Sequence, residues 1–233
     1  MKLYSKHSKH LVAVDCIIFG YDILEKEIKL LLIKRSFKPS KGKWSLEGGF
    51  VEKHESLDEA ASRILLNLTG LHTVYMKQSY SYGETGRDPG ARVISVAYCA
   101  LITIRDIDKD LAEENGAHWR SLTNLPDLIF DHHEMVKSSL ADLQNQIKFQ
   151  PVGFELLPEK FTLVQLQELY EAIYQRKIDK RNFRKKILAM EILEKLDEKE
   201  RETSKKGAYY FRFNEERYKM LKTEGFYFNL NVN

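Results

Sequence analysis

The sequence predicts an α+β protein of two domains, and three observations carry that expectation. Apolar, β-branched runs alternate with helical patterns through the first 150 residues. Two capped amphipathic helices joined by a tight link follow residue 160. Between these regions, PVGFELLPEKF holds two of the five prolines and reads as a break in the pattern. The expected division is 1–150 for an α/β/α sandwich around a mixed sheet, 151–160 for a linker, and 161–233 for a small helical domain. A chain of 233 residues is long enough to bury two such cores.

The elements follow in order. Residues 11–20 (LVAVDCIIFG) and 27–35 (EIKLLLIKR) read as paired strands separated by a short polar link. SFKPSKGKW is a loop, and Trp44-Ser45-Leu46 opens a short strand running into Gly48-Gly49. Ser56 with Glu59 three residues later forms a capping box, and Gly70 stops the helix between them. Strand-like segments at 73–82 and 91–104 flank the turn-rich GETGRDPG, and a later helix spans His132–Gln146. Alternating strands and helices of this kind imply a sheet covered by helices.

Composition narrows the class of protein. Charged residues make up 30% and hydrophobic ones 43%, as in an ordinary globular chain. The net charge of +3 says little, but residues 151–233 hold 17 Lys and Arg against 14 Asp and Glu, so the excess is C-terminal. Cys16 and Cys99 sit in apolar strand-like runs without metal-ligand spacing, which predicts free thiols in a reducing cytoplasm. The start MKLYSKHSKHL lacks a secretory segment, and no stretch approaches a membrane span. A cytoplasmic protein without membrane contact is expected.

The helix capped by Ser56 carries the most informative motif. Gly49, Glu55, Arg63, Gly70 and Leu71 fall at the spacing of the Nudix box, and residues 8–148 resemble a Nudix domain. In that family three glutamates of the box bind the catalytic metal. Here those positions are Ile64, Asn67 and Leu68, at i, i+3 and i+4 of one helical face. Divalent Mg²⁺ or Mn²⁺ requires hard oxygen ligands, and this face offers no carboxylate. The expectation is a catalytically inactive homologue with no catalytic residue, no metal and no cofactor.

The C-terminal region supplies a second chemistry. Thr162 and Gln165 form a capping box ahead of an apolar stripe, Leu163, Leu166, Leu169, Tyr170 and Ile173, and Asp179 is the N-cap of KRNFRKKILAMEIL. Phe183, Ile187, Leu188 and Ile192 are expected to face inward. Two capped helices joined this tightly read as a helix-turn-helix. Seven basic residues lie between Arg176 and Lys186, with Asp179 the only acid. Lys180, Arg181, Arg184 and Lys185, with Asn182, suit a helix that reads bases and phosphates in a major groove. Solvated charge alone is the plainer alternative. The polar stretch ending Ser204-Lys205-Lys206-Gly207 before AYYFRF has the outline of a wing, with Lys205 and Lys206 at its tip; a plain surface hairpin has the same outline.

Together, the damaged box and the segment FTLVQLQELYEAIYQRKIDKRNFRKKI resemble the Nudix-related transcriptional regulators, which include ADP-ribose-responsive repressors of NAD metabolism and arabinose-responsive regulators of Bacteroidetes. The resemblance implies a homodimer that binds double-stranded operator DNA through winged helix-turn-helix domains and a small-molecule effector through Nudix-like domains. Effector candidates near the expected cleft are Phe37, Trp44, Glu47, Arg87, Asp88, Arg92 and Asp131; each is also readable as structural, Trp44 as core packing and Arg87 with Asp88 as a loop ion pair. A nucleoside diphosphate calls for clustered Arg and an aromatic sandwich, a sugar for an aromatic platform and few polar groups. The missing metal ligands favour a free sugar such as arabinose, with a nucleotide sugar or ADP-ribose as the other possibility. The competing function is an active hydrolase of a nucleoside diphosphate derivative that uses displaced ligands, Glu47, Glu52, Glu55 and Glu59.

Overall fold

A computed structural model describes residues 4–70, 76–106, 114–201 and 207–230. Two compact units emerge: one holds the described residues up to Gly20 together with Ile28–Ser139, the other Tyr21–Glu27 and the described residues from Leu140 onward.

The first unit is built on a seven-stranded sheet. Strands β1 (Leu11–Asp22), β2 (Glu27–Lys34), β3 (Trp44–Ser45), β5 (Met76–Tyr82) and β6 (Val93–Thr103) lie in the order β3-β2-β1-β6-β5, while β4 (Glu47–Phe50) pairs with β1 and β7 (Ala117–Ser121) with β2. The mixed α/β architecture expected from the sequence is present. Helix α1 (Leu57–Thr69) begins in a capping box in which Ser56 and Glu59 exchange hydrogen bonds of 2.7 and 3.2 Å, and ends at Gly70 with φ +72°. Only glycine takes that left-handed turn without strain. Ala60, Ala61, Ile64, Leu65 and Leu68 of α1 pack on Val14, Cys16, Ile18, Leu31, Val96 and Tyr98 of the sheet. Burying Ile64 and Leu68 contributes about 1.5–3 kcal/mol each.

The second unit takes most of helix α2 (His132–Phe149), then α3 (Leu163–Tyr174), α4 (Lys180–Ala189), α5 (Glu215–Thr223) and a three-stranded sheet in which β10 (Ala208–Phe213) lies between β8 (Phe161–Thr162) and β9 (Leu193–Glu200). Thr162 with Gln165 caps α3, and Asp179 accepts the Asn182 backbone N–H at 2.7 Å to cap α4. Leu166, Leu169, Tyr170, Ile173, Phe183 and Ile187 form its interior.

Two expectations change here. The stretch 151–160 is packed rather than free, because Phe154, Leu156 and Leu157 are buried and Phe154 stacks on Phe213 at 4.5 Å between ring centroids. Apolar residues at that density close a core even between prolines. Leu188 is exposed within helix α4, and because the helix stops at Ala189, Ile192 is buried beyond it, just ahead of β9.

Candidate functional site

The frame of the box performs structural work. Glu55 receives two hydrogen bonds from Arg63, at 2.9 and 2.6 Å, and the Glu52 backbone N–H at 2.7 Å. The Arg63 bond, more than any other cause, holds the Glu55 carboxyl down at about 2. Arg63 also donates to the Phe50 carbonyl at 3.2 Å, which fastens the loop to α1. At the positions of the missing glutamates, Ile64 and Leu68 are core residues and Asn67 is exposed. Two of the three positions are therefore committed to packing. Leu71 lies outside the described residues.

A buried polar cluster sits on the other side of β4. Asp15 on β1 accepts a hydrogen bond from Ser95 at 2.5 Å, with Arg87 Nη2 at 3.7 Å and His132 Nε2 at 3.8 Å. Gly48 stands opposite Asp15 in the β1–β4 register. A Cβ there would overlap the Asp15 carboxylate and lie 2.8 Å from the Val14 carbonyl, so the position admits only glycine. Arg87 makes a bidentate pair with Asp131 at 2.8 and 2.6 Å. Burial opposes the Arg87 charge, but the Asp131 bond and the charges of Asp131, Asp15 and Asp88 more than compensate and raise its pKa. His132 Nδ1 accepts the Leu46 N–H at 3.1 Å, which assigns the proton of the neutral ring to Nε2. Burial holds His132 below its ordinary value despite Asp15 and Asp131. Burial, then the nearby Asp15, raises Glu47 to about 7, with Arg35 opposing.

Beside this cluster the edge of the sheet carries stacked cations and rings. The Arg35 guanidinium lies 4.1 Å from the Phe37 centroid and 5.8 Å from that of Phe130. Arg120 lies 4.5 Å from Trp44, and Trp44 meets His118 edge-on at 5.4 Å. Backbone pairing explains the meeting: Trp44 is paired with Lys34, and its carbonyl accepts the Ile129 N–H at 3.1 Å. Guanidinium groups stacked on rings keep their in-plane donors available to an anion, while a ring face can receive a base.

Of the sequence candidates, Phe37 and Trp44 belong to these two stacked sets and Arg87 and Asp131 to the buried cluster, while Glu47 stands opposite Cys16 and feels Asp15 only through its charge. Asp88 is a turn residue whose carboxylate accepts the Gly90 N–H at 2.7 Å, so the expected ion pair of Arg87 is with Asp131, 44 residues away, instead. Arg92 is exposed and donates to the Glu84 carbonyl at 3.2 Å. Sequence reasoning missed Arg35, Arg120, Phe130, Asp15 and His132. Arg35 and Phe37 at i, i+2 were visible; the rest meet only through sheet pairing. Among the described residues no group of three or more His, Cys, Asp and Glu is arranged to hold a metal ion.

On α4, Lys180, Arg181 and Lys185 are exposed while Asn182 and Arg184 are half-buried. Arg184 Nε is shielded without a hydrogen-bond partner, so this arginine is held partly against the helix pair and not wholly on the open face expected for it. Lys205 and Lys206 lie outside the described residues. No helix among those described is long and apolar enough to cross a membrane.

Comparison with known proteins agrees with this division. The NUDIX domain family matches residues 9–141 and the NrtR DNA-binding winged helix domain residues 153–213. The chain is 33% identical over 213 residues, 90% of its length and 84% of the relative's, to the ADPR responsive transcriptional repressor NtrR of Acinetobacter baylyi. It is 38% identical over 138 residues, 59% of its length and 77% of the relative's, to an ADP-ribose pyrophosphatase of Methanocaldococcus jannaschii. Its fold matches the crystal structure of Shewanella oneidensis NrtR in complex with a 27mer DNA at a TM-score of 0.74 and 27% identity, covering 87% of this chain and 93% of that one. The chain therefore belongs to the NrtR-type transcriptional regulators, in which a Nudix domain is joined to a DNA-binding winged helix domain.

Proposed function

We propose that this chain is a repressor that binds duplex DNA as a homodimer through α4 and the following hairpin, and whose affinity for DNA changes when ADP-ribose, or a nucleoside diphosphate close to it, occupies the first unit without being hydrolysed. The observations that carry the effector reading are two stacked sets, Arg35 with Phe37 and Phe130, and Arg120 with Trp44. Two guanidiniums among aromatic faces suit a diphosphate joined to a base, whereas a free sugar offers neither an anion nor an extended ring to stack. The arabinose expectation gives way on this ground and on a second: the regulator matched over 90% of this chain responds to ADPR.

Retention without turnover is supported by α1. Ile64 and Leu68 provide core packing where the hydrolases place carboxylates, and two displaced candidates are already engaged, Glu55 by Arg63 and Glu59 by Ser56. Without metal ligands a developing phosphate charge is not neutralised and water is not activated. Isothermal titration with ADP-ribose and with arabinose, followed by chromatography of the ligand after incubation with Mg²⁺ or Mn²⁺, tests this. The expected result is saturable ADP-ribose binding, weakened at least tenfold by Arg35→Ala or Trp44→Ala, with the ligand recovered intact. Binding of arabinose alone, or release of AMP, rejects the reading.

A further inference from the structure

The β9–β10 hairpin sorts its charges by face. Cross-strand contacts put Glu194 and Glu198 of β9 on one side and Lys195 and Lys199 on the other. On the first side the charges are matched: Glu194 pairs with Arg212 at 3.1 Å, Arg212 also approaches Glu159 at 3.5 Å, and Glu198 pairs with Lys160. On the second side no such matching occurs. Lys195 Nζ lies 3.7 Å and Lys199 Nζ 4.4 Å from the centroid of one ring, Tyr209 of β10. Both lysines are exposed, and among the described residues neither has a carboxylate within ion-pair distance.

The geometry follows from the pairing of the strands. Tyr209 stands opposite Lys199, and the register shifts before Phe211 meets Lys195. That irregularity lets one ring serve both lysines. Two ammonium groups over one ring repel each other, and the negative ring face offsets only part of that repulsion. Holding both side chains in place also removes rotamer freedom that an incoming anion would otherwise have to freeze. The result is a preordered pair of cations open to solvent, on the same unit as the exposed Lys180, Arg181 and Lys185 of α4.

We propose that Lys195, Tyr209 and Lys199 form a phosphate clamp for the backbone of duplex DNA, separate from the base-reading helix α4 and from the hairpin tip. The inference rests on the DNA-binding reading above. Phosphate is the anion that fits, because closely spaced cations neutralise backbone phosphates and release their counterions, and both lysines and the ring fall within the region matched by the winged helix domain. Asp197 lies between the two lysines in sequence and opposes their charge.

Full-length protein is titrated against a labelled duplex of its own upstream region at salt concentrations from about 50 to 200 mM, where the slope of log affinity against log salt counts phosphate contacts at about 0.9 each. The double variant Lys195→Ala/Lys199→Ala is expected to flatten the slope by about one to two and to weaken binding at least tenfold at the lowest salt, with its melting temperature unchanged. Tyr209→Phe keeps the ring and binds as wild type, Tyr209→Leu loses affinity, and Asp197→Asn gains it. An unchanged slope in the double variant, while Arg181→Ala binds weakly, overturns the clamp and leaves the DNA-binding reading standing. A wild type without salt-dependent duplex binding overturns both.

Discussion

Arg87 holds Asp131 through both arms of its guanidinium, Nε to Oδ2 at 2.8 Å and Nη2 to Oδ1 at 2.6 Å, with a side chain only 4% exposed. The pair fastens the loop after β5 to the residue that precedes α2. Removing Asp131 leaves a buried cation whose other ion-pair contact, Asp15, is 3.7 Å away and already bonded to Ser95. Asp131→Ala is therefore expected to cost about 2–4 kcal/mol in urea unfolding, and Asp131→Asn, which keeps one acceptor, roughly half of that. A loss below about 0.5 kcal/mol, the level of an exposed pair, would show that the cluster is not a structural unit.

Glu47 gives a pH dependence with a definite sign. Its folded pKa is raised to about 7 from 4.5, first by burial and then by Asp15. The stability of the neutral form is fully present below about pH 4.5 and is lost as pH rises through 7, by as much as roughly 3 kcal/mol. Glu47→Gln is expected to remove this slope and to be more stable than wild type at pH 8. Parallel stability curves for the two proteins between pH 5 and 8 would contradict the assignment.

Glu55 acts in the opposite sense. Arg63 and the Glu52 backbone N–H hold its carboxyl at about 2, so its contribution is present above pH 4.5 and lost as pH falls toward 2. Glu55→Gln should unfold at higher pH than wild type in an acid titration followed by circular dichroism, with no gain or loss of hydrolase activity. Coincident acid transitions would remove the role given to this pair.

Ile64→Glu and Leu68→Glu return the carboxylates of the hydrolases to the box. Both positions are buried against Val14, Cys16 and Leu31, so each substitution is expected to destabilise by about 3–5 kcal/mol rather than to create activity, because the new charge has no partner. A well-folded double variant that cleaves ADP-ribose with Mg²⁺ would mean that this face still opens on a substrate.

The sequence was most legible where chemistry is local. Ser56 with Glu59, Thr162 with Gln165, Asp179 and Gly70 mark helix ends through bonds to residues three or four positions away, and each does so in the structure. The lost metal ligands were equally plain at Ile64 and Leu68. Side chains brought together by sheet register were not legible: Arg120 reaches Trp44, and Asp15 reaches Arg87, only after β2, β3, β7 and β1 have paired. That is why sequence proximity offers Asp88 as an ion-pair partner for Arg87 and does not single out Arg35. The segment 151–160 misled for a related reason, since its prolines mark turns but Phe154 and Leu156 between them fill a core.

Anisotropy of a labelled duplex from the upstream region of the gene, titrated with this protein in the presence and absence of ADP-ribose, joins the two units in a single reading. An effector moves DNA affinity only by its different affinity for the free and DNA-bound forms. The expected result is at least a tenfold change in Kd with saturating ADP-ribose, none with arabinose, and loss of the response in Arg35→Ala while its DNA binding without ligand is retained. Identical DNA affinity with and without bound ADP-ribose would contradict the account.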